Sequence, residues 1–159
     1  MSWSTDMTLI VRNMINDLSE PYTYTDARIQ KAIVIAGQIQ CSQMNFDYDY
    51  TFDISNSTIT PDPTSYPDLP FISIVSLQAV CIIIGGEYKI ASQNSIRVTD
   101  AWSSIDMSAQ SSALKGLYAT FEQKLLEAKQ QFAYGDMRAL AAVLSPYTVS
   151  NNYFQQPFY

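Results

Sequence analysis

LPFISIVSLQAVCIIIGG, Leu69 to Gly86, runs eighteen residues without a charged side chain. Whether it crosses a bilayer or fills a core decides the fold. Its length is just sufficient for a membrane span. Ser73, Ser76, Gln78 and the Gly85-Gly86 pair dilute it, however, and no cluster of Lys or Arg flanks it to set an orientation. The stretch therefore reads as the buried central helix of a globular protein, with no membrane partner. Asp68 followed by Pro70 supplies an N-cap and a first-turn proline, which predicts a helix from about Leu69 to Ser92.

Working toward the N-terminus, Ile59 to Pro70 holds four prolines and is expected to be extended and irregular. Ahead of it, Asp47 to Ile54 alternates polar and apolar residues, the pattern of a half-buried strand. That alternation puts Tyr48, Tyr50, Phe52 and Ile54 on one face and Asp47, Asp49 and Asp53 on the other, with Ser55 to Thr58 as a turn. A second helix is predicted from Asp26, capped by Thr25 or Thr23, to about Met44. Met7, Ile10, Val11, Met14 and Leu18 share one helical face and define a first helix, ended by Pro21.

Toward the C-terminus, Gln93 to Ser104, with Trp102, reads as a loop. Beyond it lies the clearest periodicity of the chain. Leu114, Tyr118, Phe121, Leu125, Ala128 and Phe132 step by four and three, while Lys115, Glu122, Lys124, Glu127 and Lys129 point away. This seam is too short for an intermolecular coiled coil and is expected to pack on the other helices of its own chain. Asp106 or Ser108 caps the helix, Gly135 ends it, and a short helical piece follows from Met137 to Leu144. The expected fold is mostly α. A four-helix bundle-like domain covers 1–135, with a short β strand or hairpin and a Pro-rich loop between helices two and three. A short helix and an extended C-terminal tail cover 136–159.

The 159 residues carry a net charge of −6, all of it in residues 1–70, where nine acidic side chains face three basic ones. Such a balance argues against a protein that wraps nucleic acid, since phosphate binding needs a basic footprint. There is no histidine. The commonest general base near neutral pH and the commonest metal ligand are thus missing, which excludes serine triads and His-based zinc sites. Gly85-Gly86 is no phosphate-binding loop and reads as close helix packing or a kink. Cys41 and Cys81 lie in apolar helical patterns, without a leader sequence, so reduced core thiols in a cytoplasm are expected. Asp47, Asp49 and Asp53 could hold Mg²⁺ or Ca²⁺ through oxygen ligands, but the positions an EF-hand gives to Gly and Glu are Phe52 and Thr58. No catalytic residue, metal or cofactor is assigned.

The last 21 residues, from Ala139, carry no charge yet hold Tyr147, Tyr153, Phe154, Phe158 and Tyr159. Solvated tails are rich in charge and poor in aromatic rings. This segment is expected to dock, on its own domain or on a partner.

The order of a helix, a second helix carrying YTDARIQKAIVIAG, DYDYTFDI, the turn SNSTITPDP, a buried helix and IRVTDAWSSIDMS before a long helix resembles the head-to-tail adaptor, or connector, proteins of tailed bacteriophages. The resemblance covers roughly residues 7–134. It implies a non-enzymatic, mostly helical structural subunit of the virion neck, assembled in the host cytoplasm. About twelve copies would form a ring beneath the portal. The ring would extend the DNA channel, through which DNA passes without specific binding, and would meet the next neck or tail protein. On this reading Asp47, Asp49 and Asp53 line the channel or its rim, and the aromatic tail docks on the portal or a neighbouring subunit. Other readings stay open: a tail-completion or other neck protein, an acidic soluble interaction domain, or a metal-dependent nuclease using the aspartates.

Overall fold

The computed structural model describes residues 2–93, 97–100, 103–106 and 108–144, and over these the protein is mostly helical. Helix α1 (Trp3–Ile15) turns Trp3, Met7 and Val11 inward at four-residue spacing. It ends at Asn16, whose left-handed backbone (φ 58°, ψ 38°) directs its N–H to the Arg12 and Asn13 carbonyls. Asn tolerates this conformation, so the helix stops short of the expected Leu18 to Pro21 boundary. Leu18 is left exposed.

Helix α2 (Asp26–Cys41) starts where the sequence places it, with Thr25 Oγ1 accepting from the Arg28 N–H, and stops three residues before Met44. Strands β1 (Thr51–Asp53) and β2 (Thr58–Thr60) form an antiparallel hairpin that pairs Phe52 with Ile59. Two expectations are corrected here. The strand is only three residues long, so Asp47 and Asp49 lie outside the ladder, and Ile59 begins the Pro-rich segment as a paired strand. Ser57, at φ 52°, closes the turn tightly enough to bring Ile59 back under the fold, where it is buried.

Helix α3 (Leu69–Gln93) matches the predicted span to within a residue. It is long and apolar enough to cross a membrane, yet 56% of its most apolar window is buried inside the fold. The other three helices all pack against it. Phe71 anchors its first turn, with Tyr50 stacked on it at 3.9 Å and Phe46 edge-on at 5.2 Å. The expected loop after α3 is instead a second hairpin, β3 (Arg97–Asp100) with β4 (Ser103–Asp106), which sets Val98 opposite Ile105. The β-branched Val98, Thr99 and Ile105 favour extended backbone. Trp102 lies outside the described residues.

Helix α4 (Ser108–Leu144) runs unbroken through Gly135, so that glycine is no terminus and 137–144 is no separate helix. One interior glycine costs a helix only about 1 kcal/mol relative to alanine. The Ala- and Leu-rich sequence that follows offsets this. The seam docks as expected: Phe121 and Leu125 are buried, and Tyr118, Ala128 and Phe132 pack against the core. Leu114 is half-buried. Two glycines mark close approaches. A Cβ on Gly37 would stand 2.5 Å from the Phe52 ring, and one on Gly85 would stand 3.1 Å from Tyr118. The hairpin thus seats on α2, and α4 seats on α3, at positions with no side chain in the way.

Candidate functional site

The densest polar cluster joins α1 to α2. Arg12, buried in the last turn of α1, reaches Asp17 Oδ2 at 2.7 Å and Asp26 Oδ1 at 2.6 Å, and donates to the Tyr24 carbonyl at 2.8 Å. The Tyr22 ring covers its guanidinium at 4.0 Å. Asp17 also accepts from the Thr23 and Tyr24 N–H groups. Burial by itself would raise the Asp17 carboxyl. The Thr23 and Tyr24 bonds and the Arg12 charge outweigh it and hold Asp17 below the ordinary aspartate value. With its guanidinium engaged by two carboxylates and the Asp17 and Tyr24 carbonyls, Arg12 clasps two helices and offers no free fork to an anion. Beside it lies a shallow cleft of about 280 Å³ whose wall includes Thr8, Leu9 and Gln30.

The Pro-rich loop supplies two further carboxylates to helix ends. Asp62 Oδ2 accepts from the Trp3 N–H at 3.1 Å, while Oδ1 takes the Thr64 N–H and hydroxyl. Burial opposes ionisation of Asp62, but the Thr64 and Trp3 bonds prevail and its pKa is lowered. Asp68 caps α3 through the Phe71 N–H at 3.0 Å, as its position before Pro70 predicts, and its other oxygen accepts the Tyr50 hydroxyl at 3.1 Å. Burial first, and then the Asp68 carboxylate, raise the Tyr50 phenol.

The three candidate aspartates have different surroundings. Asp53 accepts from the Ser55 and Asn56 N–H groups and from the Asn56 amide, closing the hairpin turn; the Asn56 backbone bond leads in lowering its pKa. Asp47 and Asp49 are exposed and make no hydrogen bond or ion pair with the other described residues. Among the described residues no three acidic, Cys or His side chains converge as a metal site. Beside the two free aspartates runs a row of rings, Phe52, Tyr50, Tyr48 and Tyr66, with successive centroids 6.5, 6.3 and 6.2 Å apart. The row starts against α2 and emerges at Tyr66, which is 60% exposed.

Between α3 and α4 an open groove of about 400 Å³ is lined by Gln78, Cys81, Ile82, Gly85, Tyr88 and Tyr118. Cys81 and Cys41 are free thiols, both raised to about 11, chiefly by burial. Neither suits nucleophilic work. On α2, Ile35 and Ile39 stay exposed, one and two turns beyond the exposed Lys31. The apolar periodicities read from the sequence did not include this stripe. Repetition of Lys31, Ile35 and Ile39 at four-residue spacing was the available signal. Arg12, Asp17 and Asp62 were also missed, because their partners come from turns whose geometry no periodicity encodes. Tyr147, Tyr153, Phe154, Phe158 and Tyr159 lie outside the described residues.

These features define a mostly helical protein whose internal carboxylates secure helix ends and whose outer faces keep large apolar side chains. No known protein family, no curated protein sequence and no solved structure matches the chain.

Proposed function

We propose that the protein is a structural assembly subunit of the head-to-tail adaptor type, with a bundle-like helical domain and an extended C-terminal tail. It forms a ring beneath a phage portal, extends the DNA channel and meets the next neck or tail protein in the virion. The observation that carries this reading is the distribution of exposed apolar residues: Leu9 on α1, Ile35 and Ile39 on α2, Tyr48 and Tyr66 around the hairpin, Leu117 and Leu126 on α4. A ring subunit touches two neighbours through two different faces and meets other proteins above and below. Apolar residues on several faces supply contact area for that role. The element order quoted for the adaptor resemblance supports the choice among assemblies. The uncharged aromatic tail docks on the portal or on a neighbour.

Sedimentation velocity and native mass spectrometry test this on the chain alone, and gradient cosedimentation tests it on DNA-filled capsids that lack tails. A closed oligomer is expected, in solution or on the portal vertex. A chain that stays monomeric at every concentration and does not cosediment overturns the reading. Deleting residues 145–159 is expected to weaken capsid association; unchanged association removes the role given to the tail.

A further inference from the structure

The proposed ring needs two complementary faces, and two free patches of opposite charge lie on different sides of α2. The first is the tyrosine pair Tyr48 and Tyr66, centroids 6.2 Å apart, with the exposed Asp47 and Asp49 on either side of Tyr48 in the chain and without a partner among the described residues. The second is the stripe Lys31, Ile35 and Ile39, whose lysine has no partner among the described residues. We infer that these patches are the two halves of one head-to-tail contact between copies of this chain: the tyrosines of one subunit cover the isoleucines of the next, with Lys31 against Asp47 and Asp49.

Helix geometry separates the patches within a subunit. The ring row that ends in Tyr48 and Tyr66 begins at Phe52, and Phe52 seats on Gly37. Ile35 and Ile39 each stand two residues from Gly37, about 200° around the helix, and so on the far side of α2 from the hairpin. A chain cannot fold its own tyrosine patch onto its own stripe. A second copy can, and a contact between two unlike patches repeats around a ring. Charge complementarity selects the occupant. Tyr48 and Tyr66 supply amphipathic rings of the kind enriched at interfaces, and Lys31 supplies the cation that the two carboxylates lack. Arg28, the other cation of α2, is already engaged by Glu87. Asp47 and Asp49 are thereby assigned to the subunit contact and not to the wall of the DNA channel.

The inference rests on the ring reading, and charge reversal separates the two. Lys31→Asp and the pair Asp47→Lys/Asp49→Lys alter only exposed side chains, so each variant is expected to keep the wild-type circular dichroism and melting temperature. Alone, each is expected to need a roughly tenfold or higher concentration for half-assembly, in solution or on capsids, because like charges then meet across the contact. An equimolar mixture of the two variants, and one chain carrying all three changes, are expected to recover assembly. If both variants assemble like the wild type, or the mixture fails to recover, the assignment of these faces is overturned while the ring stands. If removing residues 145–159 abolishes assembly and charge reversal does not, the tail is the occupant and the inference falls. A wild-type chain that never assembles overturns both.

Discussion

The backbone N–H of Trp3 donates to Asp62 across 3.1 Å and fifty-nine residues of sequence, so the first turn of α1 is capped from the Pro-rich loop. Its own N-cap, Ser2, makes no side-chain bond to the helix backbone; its hydroxyl pairs with that of Ser4 at 3.1 Å. A carboxylate at this end also meets the positive pole of the helix dipole. Replacing Asp62 by Ala is expected to cost about 1 to 2 kcal/mol. Asp62→Asn, which keeps an acceptor but loses the charge, costs less. Urea unfolding measures both: an Asn variant as stable as the wild type would show that the charge contributes nothing, and equal loss for the two variants would show that a neutral acceptor does not replace the carboxylate.

Asp17 is bound by two N–H groups and a buried guanidinium, and its removal strands Arg12 with a single exposed carboxylate partner. Breaking a buried pair in this way costs about 3 to 5 kcal/mol. Asp17→Ala is therefore expected to be among the most destabilising single changes in the chain. Co-replacement of Arg12 by Met is expected to recover part of the loss, as read by a double-mutant cycle.

The lowered pKa values of Asp17 and Asp62 set the acid response. Each carboxyl binds its proton more weakly folded than unfolded, so the stability it adds is present above the ordinary aspartate value of 3.8 and is lost as pH falls through the folded value. Urea midpoints are expected to hold from pH 7 to about 5 and to drop steeply below 4. The drop should be shallower in Asp17→Asn, and an unchanged profile in that variant would remove Asp17 as its source.

The glycines of α2 and α3 differ in their surroundings. Gly37→Ala drives a methyl into the Phe52 ring and is expected to destabilise by about 1 to 3 kcal/mol despite the better helix propensity of alanine. Gly86 has nothing within 4 Å of a would-be Cβ, so Gly86→Ala is expected to stabilise by roughly 0.5 to 1 kcal/mol. Thermal melts of the two variants should move in opposite directions.

Cys81 and Cys41, both raised to about 11, should resist a thiolate-directed reagent at pH 8 until the protein unfolds. Labelling with a chromogenic disulfide in native buffer and in denaturant checks this. Rapid labelling of two thiols in native buffer would contradict the burial of Cys81.

The helices were legible wherever one residue type recurs at helical spacing or a cap sits at the right offset. Thr25 before Asp26 and Asp68 before Pro70 located the starts of α2 and α3, and the Leu114 to Phe132 seam located the buried side of α4. Endings were less legible. Asn16 stopped α1 early by turning left-handed, and Gly135 failed to stop α4, since a glycine's local cost is small against the helix formers around it. Alternation around Asp47 overstated the strand because the pattern records which residues can face inward, not how far hydrogen-bonded pairing extends.

By itself, the sequence determined the mostly helical class, the interior place of Leu69 to Gly86 and the inward face of α4, because each is written in the local spacing of apolar residues. Only the tertiary structure decided that Asp62 caps α1, that Asp53 is occupied by its own turn while Asp47 and Asp49 have no partner among the described residues, and that the tyrosine patch and the Lys31 stripe lie on different sides of α2. These depend on contacts between residues far apart in the chain and on the handedness of single turn residues, and neither leaves a periodic trace.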